Sequence, residues 1–152
     1  MKLADLLSQV AVVEIHGKID VDVVQISADS RTLKPGSLFV AISGSREDGA
    51  RFVPEAIKRG ASAVVISTES ARQVDLDSVD ATFIVVTDVR AAAADLAAKF
   101  FGHPSKEMRV AGVTGTNGKT TTTFLIQHIC EAEMLRCGLI GTIRYKIGER
   151  VL

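Results

Sequence analysis

The chain has 152 residues, of which 47% are hydrophobic and 24% are charged. This balance predicts a soluble globular protein with room for one domain, or for one small domain and part of another. Lysine and arginine number 18, aspartate and glutamate also number 18, and the net charge is therefore zero. No bulk positive field attracts nucleic acid or an anionic membrane, so any recognition of phosphate must be local.

The first residues do not have the pattern of a secretory signal. Asp5 interrupts the first apolar run, and no small-residue cleavage site follows it. No stretch approaches the ~18–20 apolar residues of a membrane span. We therefore expect a cytoplasmic chain with no membrane insertion. Cys130 and Cys137 lack the spacing of a metal site or a redox pair, and we expect both to be reduced residues of the core.

Short apolar segments alternate with helical patterns through the first two thirds of the chain. Helices are predicted at residues 3–10, 50–59 and 89–101, the last of them capped by Thr87 or Asp88. Strands are predicted at residues 12–15, 21–27, 38–42, 63–66 and 83–86. This alternation predicts an α/β fold with a mostly parallel sheet.

A domain boundary is predicted where Gly102-His103-Pro104-Ser105 interrupts the last of these helices. Residues 1–105 would form a first domain with its own core. Residues 106–152 would form the start of a second domain, which we expect to be incomplete. An α/β nucleotide-binding domain normally needs several more strands than this segment contains.

The second segment contains the most informative motif of the chain, at residues 113–123. A buried strand is predicted at residues 109–114 and a helix at residues 120–135, followed by a strand at 139–140 and a ragged hairpin at 143–152. A strand, a glycine-rich turn with Gly-Lys-Thr and a helix form the phosphate-binding loop arrangement. If the motif is considered alone, the alternative is an ordinary glycine-rich turn with a surface lysine.

The chemistry of this loop follows from its residue types. Gly115 and Gly118 can adopt backbone angles that let successive N–H groups converge on one anion. The amino terminus of the following helix adds a partial positive charge at the same place. Lys119 would reach the β- and γ-phosphates of a nucleotide, and the Thr120 hydroxyl would bind Mg²⁺. The general motif has glycine where this chain has Val113, so the loop is a variant.

The sequence Gly115-Thr-Asn-Gly-Lys-Thr-Thr121 resembles the ATP-binding signature of the Mur ligases, and the valine belongs to that family's variant. These enzymes form amide bonds with ATP in peptidoglycan synthesis, the process that builds the bacterial cell wall and supports cell shape and division. Three further stretches agree in order and spacing, and together they span most of residues 26–142. They are Asp29-Ser-Arg31, Pro35-Gly-Ser-Leu-Phe-Val-Ala41 with Gly44 and Asp48-Gly49, and Gly138-Leu-Ile-Gly-Thr142.

The subtype most resembled is the tripeptide synthetase, MurE. The resemblance implies that ATP phosphorylates the terminal carboxylate of UDP-N-acetylmuramoyl-L-alanyl-D-glutamate. The amine of meso-diaminopimelate or L-lysine then attacks the acyl phosphate. The implied partners are therefore this UDP-linked dipeptide, ATP and Mg²⁺, and we expect a monomer. The fold implied is a UDP-binding α/β domain followed by the first strand, phosphate-binding loop, helix and strand of an ATP-binding domain.

The resemblance also implies roles for individual residues. Lys119 would be catalytic, and Thr120 would bind the metal. The implied ATP contacts are Gly115, Thr116, Asn117, Gly118, Lys119, Thr120 and Thr121. The implied contacts to the UDP-linked substrate are Ala28, Ser30, Arg31, Ser45, Arg46 and Glu47, although relatives often have His-Gln-Ala at the last three positions. Without the family pattern, Asp29-Ser-Arg31 predicts a capped turn with a surface ion pair.

Other functions remain open. The MurF ligase shares the Asp-Ser-Arg region, but its loop usually reads Gly-Ser where this chain has Gly115-Thr116, and it lacks the run at 138–142. A second alternative is a UDP-sugar or nucleotide-binding module without catalysis. A third is a different nucleotide triphosphatase, such as a small kinase. Such an enzyme needs a later acidic partner for Mg²⁺, and no convincing one follows Thr142.

Overall fold

The computed structural model describes residues 1–44, 48–76 and 80–151. The chain divides into two compact units, Met1–Met108 and Arg109–Leu152. Each unit has its own sheet, and the two are described in turn.

The first unit is built on a five-stranded sheet. Its strands are β1 (Val12–His16), β2 (Gln25–Ser27), β3 (Ser37–Val40), β4 (Ala61–Ser67) and β5 (Thr82–Val86). Their order across the sheet is β1-β5-β4-β3-β2. Strands β2 to β5 pair in parallel, and β1 pairs with β5 in the antiparallel direction. The prediction of an α/β fold with a mostly parallel sheet is thus confirmed.

Helices cover both faces of this sheet. Helices α1 (Leu3–Leu7) and α4 (Val89–Phe100) pack on one face, and α2 (Val53–Lys58) packs on the other. A short helix α3 (Thr68–Ala71) follows β4. Alternate residues of the central strands point to opposite faces, so both clusters take residues from each strand. This two-sided burial explains why the strands read as continuous apolar runs rather than as alternating patterns.

Several predicted elements of the first unit differ from the observed ones, and the helix predicted at 3–10 is formed only at Leu3–Leu7. The strand predicted at 21–27 is formed only at Gln25–Ser27, because the preceding residues bond to the amino terminus instead. The Val23 amide donates to the carbonyl of Met1 (2.8 Å), and the Leu3 amide donates to that of Val21 (2.9 Å). The helix predicted at 50–59 begins as a 3₁₀ turn, Gly49–Phe52, and continues as α2.

The second unit contains one long helix and a small antiparallel sheet. Helix α5 spans Lys119–Ala132 and is followed by strands β6 (Gly138–Ile140), β7 (Tyr145–Ile147) and β8 (Arg150–Val151). The sheet order is β6-β7-β8, which confirms the predicted strand and hairpin.

The buried strand predicted at residues 109–114 is wrong. This segment has no regular structure, and Val110 is 73% exposed. An isolated strand leaves its N–H and C=O groups unpaired, and among the described residues no strand pairs with this segment.

The placement of both cysteines in the core is also wrong. Cys130 and Cys137 are free thiols, but each is only half-buried. None of the described helices is both long and apolar enough to span a membrane.

Gly49 marks the closest approach of two backbone segments in the first unit. A Cβ atom at this position would lie 2.5 Å from the Ile42 carbonyl oxygen. We therefore expect Gly49→Ala to force the chain apart and to lower the free energy of unfolding by about 1–3 kcal/mol. Urea unfolding followed by circular dichroism measures this loss.

Gly112→Ala is the matched control, because no atom lies within 4 Å of a Cβ built at that residue. If both substitutions shift the urea midpoint equally, the close approach at Gly49 does not determine the effect.

Candidate functional site

The parallel strands of the first unit place several connections at one edge of the sheet. Strands β2, β3, β4 and β5 run in the same direction, so the segments that follow them leave the sheet at their shared carboxyl edge. In open α/β sheets, ligands bind in the crevice outside this edge. The predicted substrate contacts in the first unit all belong to the connections after β2 and β3.

The connection after β2 is a capped 3₁₀ turn, Ser30–Thr32. The Asp29 carboxylate accepts hydrogen bonds from the Arg31 amide (3.0 Å), from Arg31 Nε (2.9 Å) and from Arg31 Nη2 (2.7 Å). The side-chain bonds from Arg31, followed by the backbone bond, lower the pKa of Asp29 to about 2. This geometry is the capped turn with a surface ion pair that the residues alone predict.

The connection after β2 contains three predicted substrate contacts. Ser30 is buried, Ala28 is exposed, and the Arg31 guanidinium is exposed but paired with Asp29. Arg59 of α2's carboxyl end donates from Nη1 to the Arg31 carbonyl oxygen (3.3 Å). The turn is therefore attached to the body of the unit and does not depend on Asp29 alone.

The connection after β3 is attached through Asp48. One oxygen of this carboxylate, Oδ1, accepts from the Ser43 hydroxyl (2.8 Å) and from the Ala50 amide (3.0 Å). The other, Oδ2, accepts from the Ser70 hydroxyl (3.0 Å). These bonds lower the pKa of Asp48 below its ordinary value, and the bond from the Ala50 amide has the largest effect. The predicted contacts at Ser45, Arg46 and Glu47 lie outside the described residues.

Arg90 attaches the other end of this connection. Its Nη2 donates to the Ser43 carbonyl oxygen (2.9 Å). Arg90 lies in the first turn of α4, where the Asp88 carboxylate caps the helix by accepting from the Arg90 (2.9 Å) and Ala91 (3.0 Å) amides. The predicted cap at Asp88 is confirmed. The roles of Ser70 and Arg90 were not predicted, because their partners lie 22 and 47 residues away in the sequence.

The glycine-rich loop of the second unit ends at the amino terminus of α5. Gly118 precedes this helix with φ +78°, and a Cβ atom built there would meet only open space. The amino group of Lys119 folds back onto the loop and donates to the carbonyl oxygens of Gly115 and Thr116. Thr120 is half-buried, and Thr116, Asn117 and Thr121 are exposed.

This loop has the features of an anion site. The unpaired amides at the start of α5 and the Lys119 ammonium lie together, and the left-handed backbone at Gly118 is one that residues with a side chain rarely adopt. A phosphate group could replace the carbonyl oxygens as the partner of Lys119. The described residues contain no cluster of three or more histidine, cysteine or acidic side chains that could hold a metal ion.

Comparison with known proteins gives the family. The model of the Mur ligase family, catalytic domain, matches residues 22–101, and that of the Mur ligase middle domain matches residues 113–151. The chain belongs to the Mur ligase family. This result confirms the resemblance seen in the sequence, and the two matched segments fall in the two units of the structure.

Individual relatives agree with this assignment. UDP-N-acetylmuramoyl-L-alanyl-D-glutamate–2,6-diaminopimelate ligase of Alkaliphilus metalliredigens is 43% identical over 98% of this chain and 29% of its own length. The protein of the same name from Caldanaerobacter subterraneus is 41% identical over the whole chain and 30% of its own length. The chain thus spans less than a third of the length of these curated relatives.

Solved structures also match. A crystal structure of MurF from Acinetobacter baumannii has a TM-score of 0.65 and 25% identity, covering 86% of this chain and 27% of that one. MurF from Thermotoga maritima in complex with ADP has a TM-score of 0.51 and 27% identity, covering 72% of this chain and 23% of that one.

The low pKa of Asp29 predicts how acid affects the first unit. The folded-state pKa of about 2 lies below the ordinary 3.8, so the carboxylate contributes stability that is present above about pH 4 and is lost as the pH falls toward 2. We expect Asp29→Asn to lower the urea midpoint at neutral pH and to flatten its decline between about pH 5 and pH 2. Asp95→Asn, on the exposed side of α4, should keep the original decline. Equal flattening in both variants would contradict this role of the Asp29 carboxylate.

Proposed function

We propose that this chain is the amino-terminal part of an ATP-dependent ligase of peptidoglycan synthesis. The enzyme adds a diamino acid, meso-diaminopimelate or L-lysine, to UDP-N-acetylmuramoyl-L-alanyl-D-glutamate. The main support for this proposal is a match over nearly the whole length of this chain. The matched proteins are ligases named for this reaction, and they are 41–43% identical to it. The MurF alternative rests on structures with lower identity, 25–27%.

Residues 1–105, which make up most of the first unit, would form the domain that binds the UDP-linked substrate. This assignment is supported by the parallel sheet, whose carboxyl edge carries the connections after β2 and β3. Ala28, Ser30 and Arg31 would contact the substrate from the first connection, and Ser45, Arg46 and Glu47 from the second. The Arg31 guanidinium uses Nε and Nη2 for Asp29, and its remaining N–H groups are available to a diphosphate.

The second segment, residues 106–152, would begin the ATP-binding domain. Its strand before the loop is absent from the described structure, so the support comes from the loop and from α5. Residues 115–121 would surround the phosphates of ATP, and Thr120 would bind Mg²⁺, which helps to neutralise the γ-phosphate. The Lys119 amino group would bond to the β- and γ-phosphates in place of the two loop carbonyl oxygens. It would stabilise the negative charge as the phosphoryl group moves to the substrate carboxylate. The diamino acid then attacks the acyl phosphate and releases phosphate.

The exposed apolar side chains of the second unit support its assignment to a larger domain. Ile140 is 84% exposed and Met134 is 92% exposed, and several other apolar side chains are at least half exposed. Apolar side chains exposed in such number on a small unit normally contact other protein. The other apolar side chains of this unit that are at least half exposed are Val110, Leu125, Ile129, Leu135, Ile143, Tyr145, Ile147 and Val151.

We expect the 152-residue polypeptide to have little or no ligase activity by itself. The amino-acid site and much of the ATP and metal machinery would belong to other parts of the enzyme, since the relatives are more than three times as long. Release of phosphate that requires both the UDP-linked dipeptide and a diamino acid measures this activity. Sustained formation of the tripeptide product by the polypeptide alone would contradict this expectation.

The two nucleotide sites should be separable by mutation. Lys119→Ala removes the charged partner of the ATP phosphates, and we expect it to weaken ATP binding by about tenfold or more. Its effect on UDP affinity should be less than about twofold, because Lys119 lies in the other unit. Isothermal titration calorimetry with each nucleotide measures both constants.

Lys106→Ala, at an exposed position outside the glycine-rich loop, is the control and should leave both affinities unchanged. Equal weakening of both nucleotides by Lys119→Ala would contradict the assignment of separate sites. UDP binding without any ATP binding would favour the alternative of a non-catalytic UDP-sugar-binding module.

A further inference from the structure

Arg59, at the carboxyl end of α2, bonds to the connection after β2 (residues 28–36), and we propose that it is a positioning residue for the UDP-linked substrate. It would fix the backbone that carries Ser30 and Arg31, and it would not contact the substrate itself. The proposal rests on the proposed function, because it concerns the binding of the same substrate. All of this connection and all of α2 lie within the described part of the chain.

The connection after β2 has little regular structure of its own. Parallel strands are usually joined through a helix, but β2 and β3 are joined by a segment in which only the 3₁₀ turn Ser30–Thr32 is regular. Such a short turn makes few internal backbone bonds. The position of its residues therefore depends on bonds to other elements.

The nearest bonds give the turn its shape. The Asp29 amide donates to the hydroxyl of Ser27, the last residue of β2 (3.0 Å), and the Thr32 hydroxyl donates to the Asp29 carbonyl oxygen (3.1 Å). The Gln25 side chain donates from Nε2 to the Thr32 carbonyl oxygen (3.3 Å). All of these bonds come from β2 and from the turn itself, so they do not tie the turn to the helices.

Arg59 supplies a bond from a different element. Its Nη1 donates to the Arg31 carbonyl oxygen (3.3 Å), and its Nε donates to the Glu55 carboxylate one helical turn earlier (2.6 Å). Helix α2 is itself fixed on the sheet, because Val53 and Ala56 are buried in the core. The Glu55 carboxylate thus holds the Arg59 guanidinium against a rigid helix, and the guanidinium holds the backbone at Arg31.

The electrostatics of the turn agree with this contact. The bonds from Arg31 have the largest effect on the low pKa of Asp29, and the charge of Arg59 lowers that pKa further. Arg59 therefore acts on the Asp29 carboxylate as well as on the Arg31 carbonyl. Because this carboxylate orients the Arg31 guanidinium through Nε and Nη2, Arg59 supports both the backbone and the side chain of a predicted substrate contact.

The end of the connection is attached to α2 independently of Arg59. The Gly36 amide donates to the Gly60 carbonyl oxygen (2.8 Å), and a Cβ atom built at Gly60 would lie 3.0 Å from the Pro35 Cα atom. These contacts are between backbone segments, so they remain when the Arg59 side chain is changed. Loss of that side chain should release the turn at 30–32 and leave the rest of the unit folded.

A purely structural role predicts a different outcome from a positioning role. If Arg59 only stabilises the fold, its loss lowers the urea midpoint and leaves the affinity of the folded protein for UDP unchanged. If it positions the turn, its loss weakens UDP binding in protein that remains folded, because the released turn must be ordered when the ligand binds. ATP affinity is the internal reference, because the glycine-rich loop belongs to the other unit.

The experiment measures UDP and ATP affinity, by calorimetry, in the 152-residue chain and its variants. We expect Arg59→Met, which keeps the apolar stem, to weaken UDP binding by about fivefold, the effect of one typical hydrogen bond. Arg59→Lys, which keeps a charged donor, should recover part of this loss. The matched control is Lys58→Met, because it removes the same charge from the same exposed turn of α2 and leaves the bond to Arg31 in place.

A double-mutant cycle tests whether Glu55 acts through Arg59. Glu55→Ala frees the Arg59 guanidinium and should also weaken UDP binding. In the Arg59→Met background it should have no further effect, because the bond that it supports is already lost. An equal effect of Glu55→Ala in both backgrounds would contradict this coupling.

The outcomes separate this proposal from the proposed function. A loss of UDP affinity below about threefold in Arg59→Met, or an equal loss in Lys58→Met, overturns the positioning role and leaves the proposed function standing. Absence of UDP binding by the original chain overturns the proposed function and, with it, the positioning role. If Arg59→Met does not fold, the result for Glu55→Ala decides, since that substitution releases the same guanidinium.

Discussion

The parallel pairing of β2, β3, β4 and β5 is the constraint on which the first unit depends. It buries the central strands on both faces, which requires α1 and α4 on one side and α2 on the other. It also delivers the carboxyl ends of these strands to one edge. There the connections bond to one another, through Asp48 and Ser70 and through Arg90 and Ser43. The same pairing thus supplies the core and the place where a ligand would bind.

The second unit differs from the first because its proposed site is formed by a single short stretch of chain. The left-handed Gly118, the start of α5 and the Lys119 side chain lie within a few residues of one another. This arrangement survives although the segment at 109–114 forms no strand. The exposed apolar side chains of this unit show that its small sheet buries only part of the apolar surface of the segment.

Features determined by nearby residues could be predicted from the sequence. The apolar runs of β3, β4 and β5, the cap at Asp88 and the ion pair of Asp29 with Arg31 all depend on local pattern or on neighbours. Features that depend on distant partners could not.

The first half of the segment at 21–27 bonds to the amino terminus rather than to the sheet. Ser70 and Arg90 have no motif of their own, and their roles arise only when the sheet brings three connections together. The predicted strand at 109–114 failed for the related reason that an apolar run does not reveal whether a neighbouring strand is present.

We propose that the two units carry different nucleotide sites. The most direct test of this proposal is a nuclear magnetic resonance titration of the ¹⁵N-labelled chain, first with UDP and then with ATP. We expect UDP to shift the amide signals of residues 28–31 together with Ser43 and Asp48, and ATP to shift those of residues 115–121. Shifts of the same residues by both nucleotides, or UDP shifts confined to 115–121, would contradict the proposal.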